Sequence, residues 1–142
     1  MSTARKIISS TSSRQNDDKR AFKLIRLVRD GIPFHDFSYI AAAHPFDTKE
    51  WGAFLNTTVR TLDRYKEGNK KLTQKQTERV IEIQQLMEYG ITVFEDNQNF
   101  YAWLNSKNVA LGSFVPKQLF DTTIGINLVK DELGKIEHGL LA

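Results

Sequence analysis

The sequence predicts an all-α fold, and three observations support that prediction. Apolar residues recur at intervals of three and four through most of the 142 residues, as they do on the buried face of a helix. Capping residues precede several of these runs, and glycines follow them. No segment shows the alternation typical of a strand, and no internal repeat is present.

The first 16 residues are predicted to form a flexible tail. Ser and Thr are frequent in this segment, and Ile7 and Ile8 supply nearly all of its apolar surface. Burying so little apolar surface does not offset the entropy lost when a chain becomes ordered. Order is therefore expected to begin near Asp17.

Two helices are predicted between Asp17 and His44. The first ends at Gly31, because glycine readily adopts the left-handed conformation found just past a helix. Pro33 suits the first turn of the second helix, which should end before Pro45 because the residue preceding a proline avoids the α region. The apolar face of the first helix comprises Ala21, Leu24, Ile25 and Val28, widened by Phe22 and Leu27.

Two short helices joined by a tight turn are predicted next. Asp47 and Glu50 have the spacing of a capping box, which opens the first of them. After a turn at Asn56, the second helix runs from about Thr58 to Glu67, and Gly68 closes it. Such a pair is typical of a helix-turn-helix.

A long helix should follow, since Thr73 and Gln76 repeat the capping pattern. It is expected to end at residues 96–97, before a short helix that contains Trp103, which we assign to the core. Pro116 should open another short helix. The apolar stripe of the long helix is Val80, Ile83, Met87, Ile91 and Phe94.

The last helix is predicted to begin at Thr122 or Thr123. Its apolar stripe is Leu128 or Val129, Leu133, Ile136 and Leu140. The chain then ends in Leu140, Leu141 and Ala142, and two interpretations of this apolar end stay open. It folds back on the core of the protein, or a bound partner covers it.

The composition excludes several classes of protein. Hydrophobic residues make up 40% and charged residues 26%, as in globular domains. Cysteine is absent, which excludes disulfides, thiol nucleophiles and thiolate metal sites. No apolar run is long enough to span a membrane, and the start lacks the apolar core of a secretory signal. We therefore expect a cytoplasmic protein with no membrane association.

The net charge of +3 is an average over two unlike halves. Residues 1–71 carry 14 Lys and Arg against 8 Asp and Glu, which gives +6. Residues 72–142 carry 6 against 9, which gives −3. This asymmetry favours two different partners, one of them a polyanion, although such a division also occurs without functional meaning.

The second helix of the predicted helix-turn-helix carries a polar face suited to DNA. Positions 57, 60, 61 and 64 follow the i, i+3, i+4, i+7 pattern, whereas Val59 and Leu62 lie on a face suited to packing. Arginine bonds guanine bidentately, and threonine contacts bases or phosphates. The candidate DNA-binding residues are Thr57, Thr58, Arg60, Thr61, Arg64 and Lys66. The alternative is an ordinary solvated helix face.

No motif of an enzyme is present. His35, His44 and His138 are far apart, and none has a second ligand at the i+4 spacing of a helical zinc site. No phosphate-binding glycine loop or nucleophile elbow occurs. We therefore expect no catalytic residues, no metal site and no cofactor.

The most specific pattern lies between residues 100 and 139. It runs through Trp103-Leu104-Asn105, Asn108, Ala110-Leu111-Gly112, Pro116, Leu119-Phe120 and Gly125 to Gly134-Lys135-Ile136-Glu137-His138-Gly139. This pattern resembles the toxin-binding domain of the Xre/MbcA/ParS antitoxins. Upstream, the positions that resemble the Xre-like N-terminal domain of the same family are Thr61-Leu62, Arg64, Gly68, Leu72-Thr73 and Glu78.

The resemblance implies an antitoxin of a type II toxin–antitoxin pair. Its partner would be a RES-domain toxin that consumes NAD⁺ or, as in some members of the family, an ADP-ribosyltransferase. The antitoxin would cover the active-site entrance, form a homodimer and a larger hetero-oligomer with toxin, and bind operator DNA. It would not itself be an enzyme.

The resemblance also implies a domain division and a binding site. The division is a tail at residues 1–16, an Xre-like helix-turn-helix and dimerisation domain at 17–95 and a small helical toxin-binding domain at 96–142. The implied toxin-binding residues are Asn105, Asn108, Leu111, Gly112, Lys135, Glu137, His138, Gly139, Leu140 and Leu141.

Three positions depart from the family pattern. Ser113 stands where the family has a second glycine, which adopts positive φ more readily. Val115 replaces the usual threonine, and Lys135 replaces an arginine and so loses its planar bidentate fork. Two other readings of the function stay open: a stand-alone helix-turn-helix regulator, and an antitoxin that does not bind DNA.

Overall fold

The computed structural model describes residues 3–9 and 17–141, and these residues confirm the all-α prediction. Within these ranges, extended pairing is limited to two isolated bridges, Pro33–Lys71 and Asn108–Phe114. No helix in them is long and apolar enough to cross a membrane. The chain divides into two compact units, Met1–Gln84 and Gln85–Ala142, which we call unit 1 and unit 2.

Unit 1 is built from five helices and the first half of a sixth. They are α1 (Thr3–Ser9), α2 (Asp17–Asp30), α3 (Phe34–Ala41), α4 (Thr48–Phe54), α5 (Val59–Gly68) and α6 (Gln74–Phe94). The core of the unit joins apolar residues of these helices to aromatic rings that pack edge to face. Prominent core residues are Ile32, Phe37, Ile40, Trp51, Phe54, Leu62, Val80 and Ile83.

Helix α1 occupies part of the segment predicted to be a flexible tail, so that prediction is wrong for residues 3–9. Ile8 is buried, and α1 packs against α2 and α3. Arg5 Nε donates to Asp36 Oδ1 at 2.7 Å, and its guanidinium lies 4.6 Å from the centre of the Tyr39 ring. One buried side chain and one anchored cation thus order a segment that composition alone predicts to be flexible. The other residues of the predicted tail, 1–2 and 10–16, lie outside the described residues.

Helix α2 buries a narrower face than its sequence predicts. Phe22 is 62% exposed and Ile25 44% exposed, although both belong to the predicted apolar face. Leu24, Leu27 and Val28 are half-buried because the helix turns this side towards the rest of unit 1. The helix therefore presents two large apolar side chains to solvent.

Most of the predicted helix ends are confirmed. Gly31 follows α2 with φ of +82°, and Thr73 and Gln76 exchange the reciprocal hydrogen bonds of a capping box. The end of α5 differs from the prediction. Gly68 is still helical, and Asn69 supplies the left-handed C-cap with φ of +43°. Asparagine tolerates this conformation better than most residues.

Unit 2 consists of the end of α6, the helices α7 (Asn97–Leu104) and α8 (Thr123–Leu141), and two 3₁₀ turns, Val109–Leu111 and Pro116–Leu119. Its buried residues include Met87, Phe100, Leu104, Phe120, Ile126, Val129 and Leu133. The stripe of α8 therefore contains Val129 rather than Leu128. The predicted domain boundary after residue 95 coincides with the end of α6, whereas the compact units divide within that helix, after Gln84.

Two glycines allow close packing in unit 2. A Cβ at Gly90 would lie 2.0 Å from the Phe100 ring, and a Cβ at Gly125 would lie 2.0 Å from the carbonyl oxygen of Leu119. Any side chain at either position would therefore force its neighbour to move. These contacts fix α6 against α7, and α8 against the second 3₁₀ turn.

Candidate binding surfaces

Helices α4 and α5 and the turn between them form the predicted helix-turn-helix. Asp47 Oδ1 accepts from the Glu50 N–H at 2.7 Å, and Glu50 Oε1 accepts from the Asp47 N–H at 3.2 Å, so the predicted capping box is confirmed. A Cβ at Gly52 would lie 3.2 Å from the Thr57 carbonyl oxygen. Glycine at this position lets the turn pass close to α4, and Asn56 completes the turn with φ of +55°.

The threonines at the start of α5 are partly occupied by hydrogen bonds that cap the helix. Thr58 is the N-cap, and its Oγ1 accepts from the Thr61 N–H and donates to Thr61 Oγ1, both at 3.1 Å. Thr57 is half-buried, and Leu62 is buried in the core as predicted. Val59 is exposed, which departs from its predicted packing role.

The cations of α5 are the exposed part of the predicted DNA-binding set. Arg60, Arg64 and Lys66 are all exposed, and none makes an ion pair with a described residue. Arg60 and Arg64 share a face because they are four residues apart. Asp63 and Glu67 are exposed on the same side of the helix and reduce its net positive charge.

In unit 2, the predicted toxin-binding asparagines stabilise the loop that contains them. Asn105 Nδ2 donates to the Tyr101 carbonyl oxygen at 2.7 Å. Asn108 Oδ1 accepts from the Ala110 N–H at 2.9 Å, and the Asn108 N–H donates to the carbonyl oxygen of Phe114 at 3.0 Å. Both side chains therefore make hydrogen bonds within their own domain.

The Ala-Leu-Gly part of the motif also shapes this loop. Leu111 is buried, and Gly112 and Ser113 follow it with φ of +67° and +65°. Two successive left-handed residues reverse the chain so that Phe114 pairs with Asn108. Ser113 thus adopts the conformation for which the family uses a second glycine.

Glu137 and Gly134 connect α8 to α6. The Tyr89 hydroxyl donates to Glu137 Oε1 at 3.4 Å, and Gly134 lies beside the same hydroxyl. Burial, followed by the charge of Glu137 and this hydrogen bond, raises the pKa of Tyr89 above its ordinary value. The Glu137 carboxylate therefore has a partner inside its own unit.

The face of α8 opposite its buried residues Val129 and Leu133 is exposed. Lys135 and His138 lie on it, and Lys135 Nζ is 3.9 Å from Glu132 Oε2. A Cβ at Gly139 would meet nothing within 4 Å. The side chains of Leu140 and Leu141 lie outside the described part of the structure.

Two large apolar residues share this exposed face, and the predicted site does not include them. Ile124 is 77% exposed, and Leu128 is 50% exposed. The spacing i, i+4, i+7, i+11, i+14 is the sequence signal that relates them to Lys135 and His138. We call this set the outer face of α8; it comprises Ile124, Leu128, Asp131, Lys135 and His138.

Two antitoxin family models match the chain. The antitoxin Xre-like helix-turn-helix domain matches residues 23–84, from α2 into α6. The C-terminal toxin-binding domain of Xre/MbcA/ParS antitoxins matches residues 90–139, which include the loop and the outer face of α8. The chain belongs to the Xre/MbcA/ParS family of antitoxins. It is an antitoxin whose helix-turn-helix domain precedes a helical C-terminal domain.

Two curated relatives carry names that agree with this assignment. Antitoxin Xre of Photorhabdus laumondii is 26% identical over 117 residues, which is 82% of this chain and 79% of the relative. A protein of Sphingobium sp. named Prs ADP-ribosylating antitoxin is 28% identical over 127 residues, which is 83% of this chain and 80% of the relative. Both similarities span most of the antitoxin.

Proposed function

We propose that this antitoxin neutralises a RES-domain toxin that consumes NAD⁺ by covering the entrance to the toxin's active site with unit 2. The observation that carries the proposal is the match of residues 90–139 to a domain described as toxin-binding. In this proposal the antitoxin acts by occlusion in the cytoplasm. It is not itself an enzyme and needs no cofactor.

The outer face of α8 is the surface that best suits the toxin. Ile124 and Leu128 are exposed apolar side chains, which lose unfavourable contact with water when a partner covers them. Lys135 and His138 continue the same face towards the C-terminal end, where we propose that Gly139, Leu140 and Leu141 complete the contact. The helix-in-groove mode of recognition uses this spacing of anchor residues.

The remaining residues of the proposed toxin-binding set act through this surface. Asn105, Asn108, Leu111 and Gly112 hold the loop, and Glu137 holds α8 against α6. Their substitution would weaken neutralisation by disturbing the position of the contacting residues. This division separates residues that touch the toxin from residues that position them.

A second class of toxin is favoured by the name of the Sphingobium relative, which refers to ADP-ribosylation. A RES toxin and an ADP-ribosyltransferase both bind NAD⁺, so occlusion of the cleft is effective against either. The two differ in product, because a transferase attaches ADP-ribose to a protein whereas NAD⁺ degradation needs no acceptor. Incubation of the free toxin with labelled NAD⁺ and a cell extract distinguishes them.

We also propose that the antitoxin autoregulates its operon as a homodimer. Arg60, Arg64 and Lys66 would contact DNA through α5, and Thr57, Thr58 and Thr61 would support the end of that helix. A homodimer presents two such helices, as palindromic operators require. Dimerisation would also produce a larger hetero-oligomer with toxin.

Co-expression with the product of the neighbouring gene tests the proposed function. We expect the two proteins to copurify and growth to be restored. Leu128→Asp should weaken toxin binding at least 100-fold because it places an unpaired carboxylate in the contact. Lys130→Ala, on the same helix but off the outer face, is the matched control and should bind normally.

Truncation from His138 tests the role of the C-terminal end. It should reduce neutralisation by more than it reduces the thermal stability of the antitoxin. Full inhibition of the toxin by the truncated chain would refute occlusion by this end. Absence of any complex with the neighbouring gene product would refute the proposed pairing itself.

A further inference from the structure

Helix α2 carries an exposed face that is complementary to a second copy of itself turned end over end. Phe22 and Ile25 lie at the middle of this face, and Asp18 and Arg29 lie at its two ends, all four exposed. Asp18 precedes Phe22 by four residues, and Arg29 follows Ile25 by four. At about 100° per residue these four side chains point to one side of the helix.

The positions of the four residues are symmetric about a point between residues 23 and 24. A second α2 laid antiparallel about that point places Phe22 against Ile25 of the other copy, and Ile25 against its Phe22. The same register places Asp18 opposite Arg29 at both ends. A two-fold axis therefore produces two apolar contacts and two opposite-charge pairs from one helix face.

We infer that the exposed face of α2 is the surface through which two copies of this chain pair, with their α2 helices antiparallel. This inference rests on the homodimer in the proposed function and names its interface. A parallel pair would place Asp18 against Asp18 and Arg29 against Arg29, so charge selects the antiparallel orientation. The complementary charges also identify the occupant as a second copy of this chain.

The neighbouring surface widens the contact beyond a single helix. An open groove of about 460 Å³ lies between α1 and α2 on one flank of this face. It is lined by Ala4, Ile7, Lys23, Arg26, Leu27 and Asp30. The long side chains at the edge of the partner's α2 have room in this groove, so α1 contributes to the dimer.

The size of α2 sets the expected strength of pairing. Its 14 residues span about 21 Å. A contact limited to one face of a helix of this length buries less surface than a standard protein interface, which buries about 1,600 Å². The dimer should therefore dissociate measurably on dilution, and its dissociation constant is accessible by sedimentation.

A charge exchange in the full-length antitoxin tests the register. Asp18→Arg and Arg29→Asp should each raise the dimer dissociation constant about tenfold, since each creates two like-charge pairs. The double variant Asp18→Arg/Arg29→Asp re-forms both pairs with reversed sign and should return to within about threefold of the parent. Phe22→Asp should abolish dimerisation at the concentrations where the parent is dimeric.

The control is Val109→Asp, which makes the same kind of change at an apolar residue that is 88% exposed in unit 2. It should leave the dissociation constant unchanged. Circular dichroism establishes that each variant keeps its helices, which is expected because all the substituted positions are exposed. A loss of dimer in the two single exchanges without recovery in the double would overturn the antiparallel register.

The test separates this inference from neutralisation of the toxin. A parent chain that stays monomeric at every concentration, or a Phe22→Asp variant that stays dimeric, would overturn the α2 interface. Neither result affects copurification with toxin through unit 2. We expect monomeric Phe22→Asp still to bind toxin, whereas a chain that dimerises through α2 without binding toxin would refute only the proposed neutralisation.

Discussion

Helices α5 and α8 both carry candidate binding residues, but these residues have different roles in the structure. On α5, spacing indicates Arg60 and Arg64, and both lie on an exposed face. Around α8, a sequence motif indicates residues such as Asn108 and Glu137, and both make hydrogen bonds within unit 2. Spacing thus identifies a surface, whereas a motif combines residues needed for folding with residues available for contact.

The substitution with the largest expected effect tests whether the glycines of the motif are needed for the stability of the fold. Gly125→Ala should lower the free energy of unfolding by about 3 kcal/mol, because its Cβ meets the Leu119 carbonyl, which is backbone and yields little. Gly139→Ala is the control within the same helix, and with nothing near its Cβ it should be neutral or stabilising by up to about 1 kcal/mol. Urea denaturation measures both, and equal losses at the two positions would contradict this division.

The next effect tests whether the exposed face of α5 binds DNA. Arg60→Ala/Arg64→Ala should weaken binding to the operon's own promoter by about 2 kcal/mol. It should also lower the slope of the logarithm of the binding constant against the logarithm of the salt concentration, by the amount expected for the loss of roughly two phosphate contacts. Asp63→Asn is a control of opposite sign, since it removes an acidic neighbour and should strengthen binding. A gel-shift titration over a range of salt concentrations measures these changes.

Equal promoter binding by the parent and the double arginine variant would show that α5 is not the DNA-reading helix. Absence of binding in both proteins would support an antitoxin that acts only on its toxin. Neutralisation of the toxin should be unaffected by either arginine in every case. In the proposed function α5 contacts DNA and α8 contacts the toxin, so each variant should affect only one of the two activities.

The sequence predicts local structure well in this protein because its helix ends depend on near neighbours. Asp47 with Glu50 and Thr73 with Gln76 cap their helices through residues three positions apart. Helix α1 depends instead on Arg5 reaching Asp36, 31 residues away, which no local pattern reveals. The exposure of Phe22 has the same origin, because spacing defines a face of a helix but not which neighbours cover it.

The candidate site was predictable to a similar extent. Arg60, Arg64 and Lys135 are exposed, as binding residues must be. The roles of Asn108 and Glu137 depend on Phe114 and Tyr89, whose proximity arises only on folding. The sequence does not mark Ile124 and Leu128 as contact residues, because large apolar residues in a helix usually belong to the core.

A smaller effect concerns the loop that the motif builds. Ser113 has φ of +65°, which costs a residue with a Cβ more than it costs glycine. Ser113→Gly should therefore stabilise unit 2 by about 1 kcal/mol without changing toxin affinity. Thermal denaturation measures the gain, and Ser106→Gly, at a position without positive φ, should give none.

The smallest effect at neutral pH concerns His44, a half-buried residue of unit 1. Its Nε2 donates to Gln84 Oε1 at 2.6 Å, while Nδ1 is buried with no partner among the described residues. Burial lowers the pKa of His44 from its ordinary 6.5, and this effect exceeds the opposing effect of the Gln84 hydrogen bond. Protonation would place an N–H at Nδ1 with no acceptor.

The direction of the pH dependence follows from this lowered pKa. Between the lowered value and 6.5, the unfolded chain binds more protons at His44 than the folded chain does. The contribution of neutral His44 to the free energy of unfolding is thus fully present above pH 6.5, and it declines as the pH falls towards the folded-state pKa. Urea denaturation of the parent should show this decline, and His44→Gln, which cannot titrate, should not. If the free energies of unfolding of the two proteins changed in parallel between pH 7.5 and 5, the decline would arise from other groups. The site would then not disfavour protonation of His44.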